Sequence, residues 1–117
     1  MKRSILIAIL VCLIFALIGC VPKLIDSKSA GRYIGDRTTV QIDHAHCSYQ
    51  QTVDNTPTFC NDAPYPNHTF TLVLWDYDAS KFDGKCLQIR GTITSYKNKP
   101  QITFPNITGL SFIEICP

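Results

Sequence analysis

Catalytic signatures, internal repeats and a large surplus of one charge are all missing from this 117-residue sequence, whose formal net charge is +2. It contains no Gly-x-Ser-x-Gly elbow, no His-Glu-x-x-His helix motif and no phosphate-binding glycine loop, so none of the enzyme classes built on them is indicated. It has no Cys-x-x-Cys pair, the element most structural zinc sites use. No linker divides it and no long amphipathic helix runs through it. Coiled-coil, collagen-like and low-complexity disordered chains are excluded, since 45% of the residues are hydrophobic and only 17% charged. The length admits at most one domain.

What is there begins with a polarised N-terminus. Met1-Lys2-Arg3 is a short positive stretch, Ser4 to Ala16 is apolar, and Leu17-Ile18-Gly19-Cys20 follows directly. This is the order of a secretory signal peptide. The competing reading is a transmembrane anchor, but the uncharged stretch is only about 18 residues, at the lower limit for spanning a bilayer. No positive cluster follows it. Leu17-Ile18-Gly19-Cys20 resembles the bacterial lipobox, [LVI]-[ASTVI]-[GAS]-Cys. The resemblance implies a cleaved signal peptide over 1–19 and a mature chain that starts at Cys20. The Cys20 thiol then carries diacylglycerol, and palmitate or a similar chain acylates its amine. Two or more chains anchor stably where one does not, at roughly 0.8 kcal/mol per buried CH₂. Val21, not Asp, after the cysteine implies the outer membrane if the organism has one. The expected organisation is a lipidated tether over 20–26 and one domain over 27–117, on the cell envelope.

Removing residues 1–19 takes Lys2 and Arg3 with it and leaves nine Lys/Arg against nine Asp/Glu. A neutral domain is not an electrostatic trap for nucleic acid. Of the six cysteines, Cys12 leaves with the signal peptide and Cys20 takes the lipid. Cys47, Cys60, Cys86 and Cys116 remain, which in an exported domain reads as two disulfides. Three connectivities exist; Cys47–Cys60 with Cys86–Cys116 needs the least chain crossing. The competing use is a metal site joining Cys47 to His44 and His46.

Hydrophobic alternation predicts short strands. A helical turn over Ser27–Gly35, capped by Ser27, puts Ala30, Tyr33 and Ile34 on one face. Val40 and Ile42 point inward, and a β-bulge near Asp43 moves Ala45 inward and His44 and His46 outward. A weak strand follows around Phe59, then a Pro64-Tyr65-Pro66 bend. Thr69 to Tyr77 is the strongest strand, with Phe70, Leu72 and Leu74 on one face and Val73, Trp75 and Tyr77 on the other. A single turn over Asp78–Phe82 leads to a long strand, Lys85–Tyr96, then a tight turn at Lys97-Asn98 and a return strand, Pro100–Phe104. Ser111–Ile115 is extended.

This is an all-β pattern. Its order, with Tyr33-Ile34-Gly35, Phe70 to Trp75, Gly84-Lys85 and Gly91-Thr92-Ile93-Thr94-Ser95-Tyr96-Lys97-Asn98-Lys99-Pro100-Gln101-Ile102, is similar to small exported bacterial OB-fold (oligonucleotide/oligosaccharide-binding) domains. The resemblance covers about Ala30 to Phe104 and implies a five-stranded barrel with a short N-terminal helix. Asp43 departs from it, since such barrels often bend there at a glycine, and so does the very short helix between the third and fourth strands. A ligand surface on the second and third strands and their flanking loops is also implied. Trp75, Tyr77 and Tyr96, bordered by Lys97 and Lys99, are the residues expected to form it.

No catalytic residue, cofactor or metal ligand is assigned. The expected function is a non-enzymatic, lipid-anchored envelope module binding a protein, glycan or oligonucleotide. The alternatives are a single-stranded nucleic-acid-binding protein and a small metal-binding protein using His44 and His46. Asp76, Asp78 and Asp83 read as a solvated strand end. Asn67-His68-Thr69 and Asn106-Ile107-Thr108 match glycosylation sequons without further support.

Overall fold

The computed structural model describes residues 23–117. The predicted signal peptide and Cys20 lie outside the described residues. Among those described, no helix is long and apolar enough to cross a membrane.

The domain is all-β, with nine short strands in two sheets. β1 is Leu24–Asp26, β2 Arg37–Ile42, β3 His46–Tyr49, β4 Thr58–Asn61 and β5 Thr71–Leu74. β6 is Leu87–Thr92, β7 Thr94–Tyr96, β8 Lys99–Phe104 and β9 Ile113–Ile115. One sheet has the order β1-β2-β6-β9 and the other β3-β4-β5-β8-β7. The ladders do not close into a single barrel. β1 pairs with β2 and β5 with β8 in parallel; the remaining pairs are antiparallel.

The core lies between the sheets and follows the alternation. Val40, Ile42, Phe70, Leu72, Leu74, Leu87, Ile89 and Ile93 are fully buried. Each such side chain contributes on the order of 1.5–3 kcal/mol by leaving water. The expected bulge is a break between β2 and β3. Ala45 is fully buried while His44 is exposed and His46 half-buried. The amide and carbonyl of Ala45 pair with Lys85 and Gly84. Ile93 similarly interrupts the long strand between β6 and β7, and its backbone pairs with Gly35 and Asp36. Lys97 and Asn98 both have positive φ, 49° and 65°, as a two-residue hairpin turn demands.

Two disulfides hold the domain. Cys47–Cys60 joins directly opposed residues of β3 and β4, and Cys86–Cys116 joins the residue before β6 to the one after β9. Bridges of this kind belong to an oxidising, exported environment.

Several local expectations are corrected. Leu24–Asp26 is part of a sheet, and Ile25 is buried, so these residues of the supposed 20–26 tether belong to the domain. The first 3₁₀ helix, Ser27–Tyr33, is capped by Asp26, whose carboxylate accepts from the Lys28 amide. Ser27 is instead buried and donates to Asp62. Ile34, beyond the helix, is exposed. After a second 3₁₀ helix at Ser80–Phe82, a third, Ile107–Phe112, precedes β9 and occupies part of the predicted extended segment. Its cap is Asn106, whose side-chain oxygen accepts from the amide and hydroxyl of Thr108. The Asn-x-Thr pattern read as a sequon is here a helix start.

Candidate functional site

The outer face of the five-stranded sheet carries an open groove of about 650 Å³. The strand register builds it. Ser48, Phe59, Val73 and Thr103 form one row across β3, β4, β5 and β8. His46, Asn61, Thr71, Gln101 and Thr94 form the next, and Tyr96 opposite Lys99 begins a third. Phe59 and Val73 give the floor an apolar centre, with the amides of Asn61 and Gln101 beside it. The loop 62–70 forms one wall, from which Tyr65, Pro66 and His68 face the groove.

That wall is fixed by Asp62. Its carboxylate accepts from the amides of Thr69 at 2.7 Å and Phe70 at 3.1 Å. It also accepts from the hydroxyls of Thr69 and of Ser27, the latter at 2.9 Å. Burial works against its ionisation, but these hydrogen bonds outweigh burial and hold the carboxyl below the ordinary carboxylate range. Lys99 crosses from the opposite wall and donates to the Pro66 carbonyl at 2.9 Å. Tyr65, 80% exposed, stacks on His68 with ring centroids 5.5 Å apart. His68 Nδ1 is buried without a partner. Burial, helped by the charge of Lys99 and opposed by Asp62, pushes the imidazole below its ordinary pKa and favours the neutral form. On the hairpin, Tyr96 is 60% exposed and the Lys97 ammonium sits 5.4 Å from its ring centre.

Of the expected ligand residues, the groove brings together Tyr96, Lys97 and Lys99. Trp75 does not line the groove; it is half-buried beside the Phe59–Val73–Thr103 row, where its indole N–H donates to Thr103 Oγ1 at 3.1 Å. Thr103 is four residues along β8 from Lys99, about 13 Å at strand spacing. Tyr77 is elsewhere. β5 ends at Leu74 and Asp76 takes φ 57°, which turns Tyr77 to pack against the core beneath Lys81. Tyr65 and His68 were not anticipated. Their signal was an aromatic residue in a proline-flanked bend between two strands.

Other candidates find local roles. His44 and His46 meet edge to face at 5.0 Å, with Cys47 committed to its disulfide. Among the described residues no three His, Cys, Asp or Glu side chains converge as for a metal. Asp78 accepts from Ser80, which keeps its carboxyl below the ordinary range, and Asp83 accepts from the Cys47 amide.

The groove is lined by two lysines and no carboxylate, in a domain whose described residues are neutral overall. Its exposed rings offer faces for stacking, and its amides and hydroxyls offer hydrogen bonds. The chain matches no protein-family model and no curated protein.

Proposed function

We propose that this protein is a lipid-anchored module of the bacterial cell envelope that binds an extended ligand through the outer groove of its five-stranded sheet, without catalysis. The groove carries the reading: exposed tyrosines at Tyr65 and Tyr96, an apolar floor at Phe59 and Val73, and Lys97 and Lys99 at one end. Exposed aromatic clusters on a small domain mark interaction sites more often than chance.

The resemblance of the sequence to OB-fold domains supports the choice of face. In that fold a partly open Greek-key barrel binds on its second and third strands and adjoining loops. On that reading β4 and β5 correspond to the second and third strands, and their residues Phe59, Asn61, Thr71 and Val73 line the groove. The breaks at Asp43–Ala45 and Ile93 then read as corners at which two long barrel strands pass from one sheet to the other. Lipid anchoring rests on the Leu17–Cys20 motif and fits the oxidising compartment that the disulfides indicate.

Two assays test this. Labelling with a palmitate analogue should mark the wild-type chain and not Cys20→Ala; equal labelling of both would end the lipoprotein reading. Binding to single-stranded DNA and to envelope glycan fragments should then be compared at 50 and 500 mM salt. Affinity for DNA that falls steeply with salt favours the nucleic-acid alternative. Salt-insensitive glycan binding favours the carbohydrate form of the module.

A further inference from the structure

We infer that one end of the domain, the surface bearing Lys23, Leu24, Arg32, Ile34 and Arg37, lies flat against a bilayer of anionic lipids; this rests on the lipid anchor at Cys20 proposed above. Cys20 precedes Leu24 by four residues, a span of at most about 14 Å between their Cα atoms however the intervening chain runs. Leu24 opens β1, whose register with β2 fixes it to the sheet. An anchored chain therefore keeps this end of the domain close to the headgroups, within reach of surface charge at physiological salt, where screening acts over about 8 Å.

The residues at that end suit such a surface. The Lys23 carbonyl accepts from the amide of Thr39 and the hydroxyl of Thr38, and its ammonium lies 3.3 Å from the Tyr33 hydroxyl. The Asp36 amide donates to the Tyr33 carbonyl, and Gly35 and Asp36 pair with Ile93. Lys23, the segment 32–37 and the end of β6 therefore converge on one side. Lys23, Arg32 and Arg37 are exposed there with Asp36 as the one carboxylate among them. Leu24 and Ile34 are exposed aliphatic side chains, 53% and 47% accessible. At the opposite end of the same strands, where β2 stops and β6 starts, Asp43 and Asp83 are exposed beside Lys85. Basic residues with exposed apolar side chains at the tethered end, and carboxylates at the far end, match an anionic surface in both charge and polarity.

The test uses the full lipidated chain in vesicles of phosphatidylglycerol and phosphatidylethanolamine, or of phosphatidylcholine alone. Hydroxyl-radical footprinting would compare Leu24, Tyr33 and Ile34 with Tyr65 and Tyr96. At least threefold protection of the first group, and none of the second, is expected in anionic vesicles. Protection should fall towards unity in phosphatidylcholine and in the K23E/R32E/R37E variant, whose substitutions are all exposed. The mass of the N-terminal peptide reports acylation separately. Acylated protein without protection at Leu24 and Ile34 would overturn the docking surface and leave the anchor standing. A chain that is neither acylated nor vesicle-bound would overturn both.

Discussion

Gly109 has no space for a methyl group. A Cβ there would stand 2.4 Å from Cβ and Cγ of Phe104, a ring that stacks on Phe112 at 5.6 Å. Phe104 is the last residue of a strand and cannot retreat without disturbing β8. Gly109→Ala should therefore cost about 1–3 kcal/mol, and lower the thermal midpoint by at least about 4 °C. Differential scanning calorimetry against Gly31→Ala, where the added carbon meets nothing within 4 Å, is the control. Trp75 shows where sequence reasoning stops at this scale. Alternation puts it on the outer face, and it is there, but its indole is engaged with Thr103 and does not line the groove. Trp75→Ala should lower the midpoint by several degrees and leave ligand affinity within about twofold. Tyr77 could not be placed by alternation, because the left-handed Asp76 that redirects it has no sequence marker as plain as a glycine.

At the scale of elements, the groove wall is held by one carboxylate reaching three partners along the chain. Asp62 has a folded pKa below its unfolded value of 3.8, so the stability it contributes is present above that value. It is lost as pH falls below about 4 and through the folded pKa. His68, also lowered from 6.5, acts in the same direction: its neutral form is favoured by folding, and that advantage disappears as pH falls through 6.5 towards its folded value. Amide exchange at Thr69 and Phe70 should accelerate relative to the core strands as the pH is lowered. In Asp62→Asn the two amides should already be less protected at pH 7, and the change below pH 4 should be much reduced. Unchanged protection in the variant would separate Asp62 from the wall. The disulfides act on the unfolded chain. Replacing either pair by alanine should cost about 3 kcal/mol, slightly more for Cys86–Cys116, whose 30-residue separation exceeds the 13 of Cys47–Cys60. Urea unfolding of each double variant measures it.

For the whole molecule, the all-β class, the parity change after Asp43 and the two bridges were legible because each leaves a local mark: alternation, a parity failure, and four cysteines in an exported chain. β1 was not, because three residues beside a lipobox-like segment carry no period, and their pairing with β2 is parallel and depends on the rest of the sheet. The wall at Tyr65 and His68 was hidden for a similar reason. Its position depends on Asp62 contacting Ser27, 35 residues away, and no short-range pattern encodes that contact. Three of the five expected ligand residues, Tyr96, Lys97 and Lys99 on one hairpin, line the groove, since a two-residue turn fixes its own geometry.

Binding through this groove is tested most directly by mapping backbone amide shifts during titration with whichever single-stranded DNA or glycan fragment binds. The largest changes should fall on Asn61, Thr71, Gln101, Tyr96 and the 65–68 loop. Tyr96→Ala should weaken binding at least tenfold with a thermal midpoint within about 2 °C of wild type, because the ring is largely exposed and supports no core contact. Shifts confined to the outer face of β2 and β6, at Thr39, Gln41, Gln88 and Arg90, together with wild-type affinity in Tyr96→Ala, would contradict it.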